Sequence, residues 1–156
     1  MKAVYAGSFD PFTNGHMDIV RKASKLFDKV YVVVAVNYDK KRKYNTIDTV
    51  KIIAEALEEA GIENVEVHYW SELVVEFCRV YKADYIIRGL RTPGDYAYEE
   101  NIATINKELA PEIETVYFRA DSSFISSSMV RELVKYGKTV DKYVPTAVSR
   151  MIRQVN

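Results

Sequence analysis

The chain has 156 residues, 48% of them apolar, which suits one sizeable core and excludes a disordered chain. Its 22 basic residues balance its 22 acidic ones, which argues against a general nucleic-acid or anionic-membrane binder but leaves room for a local basic pocket. A single cysteine, Cys78, sits in an apolar helical pattern; it makes no internal disulfide or zinc cluster and reads as a small core residue.

The N-terminus enters an apolar run, Ala3-Val4-Tyr5-Ala6, that reads as a buried strand rather than a signal peptide. No apolar stretch approaches the ~18 residues that span a bilayer. A cytoplasmic protein with one domain over residues 1–156 is therefore expected. The first strand leads into the turn Gly7-Ser8-Phe9-Asp10-Pro11-Phe12-Thr13-Asn14-Gly15-His16. Ile19, Val20, Ala23, Leu26 and Phe27 then recur at helical spacing. A glycine at each end of a strand-to-helix turn, with a helix N-terminus behind it, suits phosphate, and His16 on the first helical turn faces whatever the turn holds.

Lys29 to Val36 is a β-branched run and reads as a strand covered on both faces. The basic run Lys40-Lys41-Arg42-Lys43 follows it. Thr46 to Ala60 predicts a helix with Val50, Ile53, Ala54 and Leu57 on one side and Gly61 as its stop. Val65 to Tyr69 is a third strand, in which His68 is read as structural. Ser71 is placed to cap a helix carrying Leu73, Val74, Phe77, Val80 and Tyr81. Tyr85-Ile86-Ile87 is a short fourth strand, and Arg88 to Gly94 a loop. Tyr96 to Leu109 is a helix with Tyr98, Ile102, Ile105 and Leu109 on one stripe, and Glu114 to Phe118 a fifth strand. Ser126-Ser127-Ser128 opens a helix that stops at Gly137, and Tyr143-Val144-Pro145 leads into the last one.

Strand and helix alternate five times, so the fold class is α/β, a Rossmann-like open parallel five-stranded sheet with helices on both faces. Such sheets bind ligands beyond the carboxyl ends of their strands. Four loops meet at that edge: the Ser8–His16 turn, the Lys40 run, Arg88-Gly89-Leu90-Arg91, and Ser126 to Ser128. All carry groups that bind phosphate, which implies a polyphosphate site with room for a second anion. Asp10, Asp95, Glu99 and Glu100 are candidate carboxylates, with a turn role as the alternative for Asp10. No G-x-G-x-x-G or G-x-x-x-x-G-K-[ST] is present, and the histidines lack zinc-ligand spacing.

The run Gly7-Ser8-Phe9-Asp10-Pro11 followed by Thr13-Asn14-Gly15-His16 resembles the (H/T)-x-G-H signature of the nucleotidyltransferase superfamily. Ile87-Arg88-Gly89-Leu90-Arg91 with Asp95, Tyr98 and Glu99, and Phe124-Ile125-Ser126-Ser127-Ser128 with Arg131-Glu132, narrow the resemblance to the bacterial phosphopantetheine adenylyltransferase family over essentially the whole chain. That resemblance implies reversible, Mg²⁺-dependent transfer of the adenylyl group of ATP to 4′-phosphopantetheine. The products would be dephospho-coenzyme A and pyrophosphate, in coenzyme A biosynthesis. It also implies a homohexamer; the balanced charge leads to the expectation of neither nucleic acid nor membrane as partner.

By the resemblance, Ser8, Phe9, His16, Gly89, Leu90, Arg91, Glu99 and Ser122, Ser123, Phe124, Ile125, Ser126, Ser127 and Ser128 contact ATP, and Ser8, Lys40, Val74 and Arg88 contact pantetheine. His16, Lys40 and Arg88 would serve catalysis by positioning and charge stabilisation of a direct in-line attack, with no general base. Three departures stand out. Ser8 replaces the Thr common in the family; the pattern F-[ST]-x-x-E-R after the basic loop becomes Tyr44-Asn45-Thr46-Ile47-Asp48-Thr49; and Asp121, Ser122 and Ser123 stand where a Trp is expected before Phe124. Sister reactions on nicotinamide mononucleotide or glycerol phosphate, and a non-catalytic nucleotide-binding regulator, are the alternatives.

Overall fold

In the computed structural model, which describes residues 1–155, five strands form one sheet. They are β1 (Lys2–Gly7), β2 (Lys29–Ala35), β3 (Val65–Trp70), β4 (Tyr85–Leu90) and β5 (Glu114–Arg119). All pairings are parallel, in the order β3-β2-β1-β4-β5. The helices are α1 (Asn14–Leu26), α2 (Thr46–Glu59), α3 (Val74–Tyr81), α4 (Pro93–Leu109), α5 (Ser127–Lys135) and α6 (Thr146–Val155). The expected α/β architecture is present.

Alternation along the strands splits the core in two. Ala3, Tyr5, Val30, Val32, Val34 and Ile87 face one layer, made by α1, α2, α5 and α6. Val4, Ala6, Tyr31, Val33 and Ile86 face the other, where α3 contributes Val75, Phe77 and Cys78. Both faces of β1 and β2 are buried, so their sequences are continuously apolar rather than alternating.

Strand order reverses between β1 and β4, the switch point where ligands of such sheets bind. The two strands pair only from Ala3–Tyr85 to Tyr5–Ile87 and then separate, although β1 continues to Gly7 and β4 to Leu90. A crevice opens between their carboxyl ends.

Four local readings need correction. Arg88, Gly89 and Leu90 belong to β4 because they pair with Tyr117, Phe118 and Arg119 of β5; only Arg91 and Thr92 remain between β4 and α4. Ser71 does not cap α3: Leu73 is the cap residue, and it makes no side-chain cap bond. Ala54 faces solvent, and Thr49, Ile53, Ala56 and Leu57 form the buried side of α2. On α4 the stripe of Tyr98, Ile105 and Leu109 is exposed, and Glu99 is the one buried residue of that helix. The stops are as expected, with Gly61 and Gly137 at φ +69° and +70°, the left-handed region glycine enters without strain.

Cys78 is fully buried, and burial pushes its thiol up to about 12. It is therefore inert in the folded protein. A thiol reagent at pH 8 is expected to label the native chain negligibly within an hour and to react at once in denaturant; stoichiometric labelling of the native chain within minutes would contradict this packing.

Candidate active site

The site begins with the turn after β1. Phe9 takes a positive φ of 47°, and its ring lies over Gly7, where an added Cβ would meet it at 3.1 Å. A side chain at Gly7 would thus press on the buried Phe9 ring, which would have to give by a few tenths of an ångström. The backbone oxygens of this turn are claimed by other elements. Ser8 O accepts from Arg42 Nη1 at 2.7 Å, Asp10 O from Arg131 Nη1 at 2.7 Å, and Pro11 O from Ser127 Oγ at 2.8 Å. The buried Asp10 carboxylate accepts from the backbone N–H of Lys43 and Tyr44, each at 2.9 Å. Its role is to tie the turn to the loop after β2, the alternative raised for it from sequence.

Thr13 caps α1 and reciprocally orients His16. The Thr13 hydroxyl accepts from the His16 backbone N–H at 3.3 Å, and the Thr13 backbone N–H donates to His16 Nδ1 at 3.0 Å. This is a capping box with an imidazole in place of Glu or Gln. It also sets the tautomer: Nδ1 accepts, so in the neutral ring Nε2 carries the proton. Tyr5, Phe9 and Phe12 enclose the ring, with Phe9 edge-on at 4.9 Å between centroids. Burial, with a smaller push from Arg91, lowers the imidazole to about 3. His16 is therefore a neutral Nε2–H donor at physiological pH. Less of the α1 N-terminus is open to an anion than the sequence suggests, since the Asn14 N–H donates to Tyr143 O at 2.8 Å and that of His16 to its cap.

Across the crevice, Arg88 reaches back from β4. Its Nη1 donates to Ala6 O at 3.0 Å, and its Nε and Nη2 bind the two oxygens of Glu99 at 2.6 and 2.9 Å. Burial works against this guanidinium, but the bonds and charge of Glu99 outweigh it, and the pKa is raised. Three of the five guanidinium N–H groups are thus taken, leaving one on each terminal nitrogen for the crevice. Glu99 spends both oxygens on Arg88 and so bears on a ligand through it. Ser126 caps α5 by accepting from Met129 N at 3.1 Å, while the N–H groups of Ser127 and Ser128 precede any intrahelical partner.

These parts line a cleft of about 360 Å³. It collects Ser8, Phe9, His16, Arg88, Gly89, Arg91, Glu99, Ile125 and Ser126 to Ser128, together with Arg131. A second cleft of about 500 Å³ contains Lys40 to Lys43 with Asp10 and Asn37. Ser8 and Arg131 line both.

Some expected residues are elsewhere. Lys40 is exposed in the second cleft and does not line the first. Leu90, Ser122, Ser123, Phe124 and Val74 line neither cleft. Phe124 is exposed and edge-on to Tyr143, and Val74 is partly buried against the core layer that α3 helps to form. Thr92 caps α4 and Asp95 completes its capping box, accepting from the Arg91 and Thr92 backbone N–H, and Glu100 accepts from the Tyr117 hydroxyl at 2.8 Å. His68 belongs to a ring cluster with Tyr31, Phe77 and Tyr81, as its structural reading required.

Arg131 and Tyr5 were not identified as site residues from sequence. Arg131 lies one turn after Ser128 on the same helix face, and its Nη2 donates to that hydroxyl at 3.3 Å; that spacing was a usable signal. The segment after the basic loop and the tryptophan of the chain both have structural uses. Asn45 caps α2 by accepting from Ile47 and Asp48, and Trp70 donates to Leu73 O at 3.1 Å, a structural use.

Residues 4–133 match the model of the cytidylyltransferase-like family, so fold and cleft define a nucleotidyltransferase. Among solved structures, the nicotinic acid mononucleotide adenylyltransferase of Plasmodium falciparum shares the fold at TM-score 0.72 and 15% identity, covering 98% of this chain and 95% of that one. The bifunctional NMN adenylyltransferase/ADP ribose pyrophosphatase of Francisella tularensis superposes at TM-score 0.76 and 15% identity, over 98% of this chain and 48% of that one. Curated relatives are much nearer in sequence. The phosphopantetheine adenylyltransferase of Shouchella clausii is 38% identical over 99% of this chain and 97% of its own. That of Heliobacterium modesticaldum is 45% identical over 94% and 87%, and that of Leptospira biflexa 40% over 96% and 94%. The chain belongs to the phosphopantetheine adenylyltransferase family.

Because the folded His16 sits well below the ~6.5 of a free imidazole, the unfolded chain binds more protons between those values. The associated stability is complete above pH ~6.5 and is lost as pH falls toward about 3. In a His68→Gln background, where His16 is the remaining histidine, its NMR signals are expected to stay flat from pH 8 to 5. Lowering the pH from 7.5 to 5 is expected to cost the wild type on the order of 1–2 kcal/mol more than a His16→Gln variant. A titration midpoint near 6.5 would contradict the burial.

Proposed function

We propose that the chain is a pantetheine-phosphate adenylyltransferase of coenzyme A biosynthesis. It transfers the adenylyl group of ATP to 4′-phosphopantetheine and gives dephospho-coenzyme A and pyrophosphate. Family membership supports the reaction, and one structural observation carries the mechanism: two basic clefts share Ser8 and Arg131, and a neutral imidazole donor lies in one of them.

The phosphate monoester of the acceptor is already mostly dianionic at neutral pH, since its second pKa is ~6. It attacks the α-phosphorus of ATP, a P–O bond to the acceptor forms, the bond to the β-phosphate breaks, and pyrophosphate leaves with that electron pair. No proton needs removal, and His16, with a conjugate acid near 3, is too weak a base to remove one. Its Nε2–H instead donates to an α-phosphate oxygen as charge builds there. Arg88, Arg91, Arg131 and the N–H groups of Ser127 and Ser128 hold the triphosphate, and Lys40 and its neighbours draw the acceptor's phosphate into the second cleft.

Mg²⁺ is best placed as part of the substrate. Among the described residues, no three His, Cys, Asp or Glu side chains gather as a ligand set, and Glu99, the carboxylate lining the first cleft, is committed to Arg88. The phosphates of ATP would hold the ion, the usual habit of Mg²⁺. A homohexamer in the cytoplasm completes the proposal. The exposed α4 stripe of Tyr98, Ile105 and Leu109 supports self-association. No helix of the described residues is long and apolar enough to cross a membrane.

Pyrophosphate release with MgATP is expected with 4′-phosphopantetheine and not with nicotinamide mononucleotide or glycerol phosphate. Release with another acceptor would overturn the substrate, and ATP binding without release would favour a regulator. His16→Ala is expected to fold and to lower kcat at least ~10²-fold, the scale of one lost transition-state donor; unchanged turnover would remove His16 from that role.

A further inference from the structure

The basic loop after β2 is mostly solvent-exposed: Tyr38, Asp39, Lys40, Lys41 and Lys43 all lie at the surface. Arg42 is the exception among its charged residues, with a side chain only 15% exposed. That side chain turns inward and makes three hydrogen bonds: Nη1 to Ser8 O at 2.7 Å, Nε to Tyr44 O at 3.0 Å, and Nη2 to Thr49 Oγ1 at 3.3 Å. Nη2 also lies 4.0 Å from the Asp10 carboxylate. One guanidinium therefore joins the first turn of the site, the end of the basic loop and the first turn of α2. Lys40, two residues earlier, has its backbone held within the loop by Asn37 O at 3.0 Å, and its side chain is exposed in the second cleft.

We propose that Arg42 is a positioning residue, which fastens the basic loop to the Ser8 carbonyl and so holds Lys40 at the mouth of the second cleft. Arg42 borders the second cleft, but Nε, Nη1 and Nη2 are each committed to a protein oxygen, so it acts chiefly by holding the loop. The inference rests on the reading that the second cleft takes the acceptor's phosphate. Flexible lysines pay side-chain entropy when they grip an anion, so a loop that wanders weakens the acceptor selectively, and ATP, bound in the other cleft, is affected little.

Arg42→Met keeps a stem of similar length and removes every bond. The fold is not at stake, because the Asp10 carboxylate still holds the Lys43 and Tyr44 N–H groups, and the Thr49 hydroxyl still donates to Asn45 O at 2.8 Å. In full-length protein without substrate, amide exchange across residues 38–44 is expected to speed at least tenfold in Arg42→Met, with the α2 amides within about twofold of wild type. The KM for 4′-phosphopantetheine is expected to rise at least tenfold and the KM for ATP to stay within about twofold. Arg42→Lys, which can still reach Ser8 O with a charge, should recover part of the acceptor KM. Unchanged loop exchange, or a rise of both KM values in equal proportion, would overturn the proposal. Failure of the wild type to use 4′-phosphopantetheine would count against the acceptor assignment instead, and the exchange measurement reads the anchor regardless.

Discussion

The turn from Ser8 to Pro11 is held in shape by other parts of the chain that satisfy its oxygens. An irregular segment next to a core cannot leave buried carbonyls or a carboxylate unpartnered without a cost of ~1–3 kcal/mol each. Here the partners are Arg42 and the Lys43 and Tyr44 amides from the loop after β2, and Arg131 and Ser127 from α5. Satisfying the turn therefore draws together three stretches far apart in sequence, and each brings its own anion-binding groups to the same edge. The site is assembled as a by-product of a hydrogen-bonding requirement.

The same constraint governs the electrostatics. Thr13 and the rings of Tyr5, Phe9 and Phe12 fix the imidazole with Nδ1 turned to the backbone, so the ring presents a donor and not a base. Charge comes from guanidinium groups that are themselves held. Glu99 fixes the plane of Arg88 while leaving donors for the crevice, and Asp95 lies 3.3 Å from Arg91. A preorganised set of donors needs little reorganisation when negative charge appears on a phosphoryl group, which is how such a site accelerates a reaction whose nucleophile is already ionised.

Much of this was legible in the sequence because the signals were local or periodic. The β-branched run of β2, the glycine stops, and the alternation of strands and helices fixed the class, and the sheet-edge rule brought together the loops bearing His16, Arg88 and Ser126 to Ser128. What was missed depends on pairing and packing. Arg88 to Leu90 look like a loop because a charge and a glycine interrupt the apolar run, yet the ladder with β5 carries them as strand. The Tyr98–Leu109 stripe suits either core or a self-association face, and among the described residues Tyr98, Ile105 and Leu109 lie exposed. Asp10 reads equally as catalytic or structural until its partners are seen, and Arg42 is one basic residue among four until its side chain is found turned inward. Of the residues that the family resemblance named, Leu90, Val74 and Ser122 to Phe124 line neither cleft.

The central claim is that the acceptor phosphate attacks unaided and that His16 is a neutral donor. The pH dependence of kcat/KM for 4′-phosphopantetheine, in wild type and His16→Gln, tests it most directly, because that parameter reports ionisations of the free enzyme and free substrate. The account predicts a rise through pH ~6, set by the second ionisation of the phosphate monoester, a plateau above it, and the same shape at lower height in the variant. An acid limb that disappears when His16 is replaced would show a histidine working as a base, and would contradict the account.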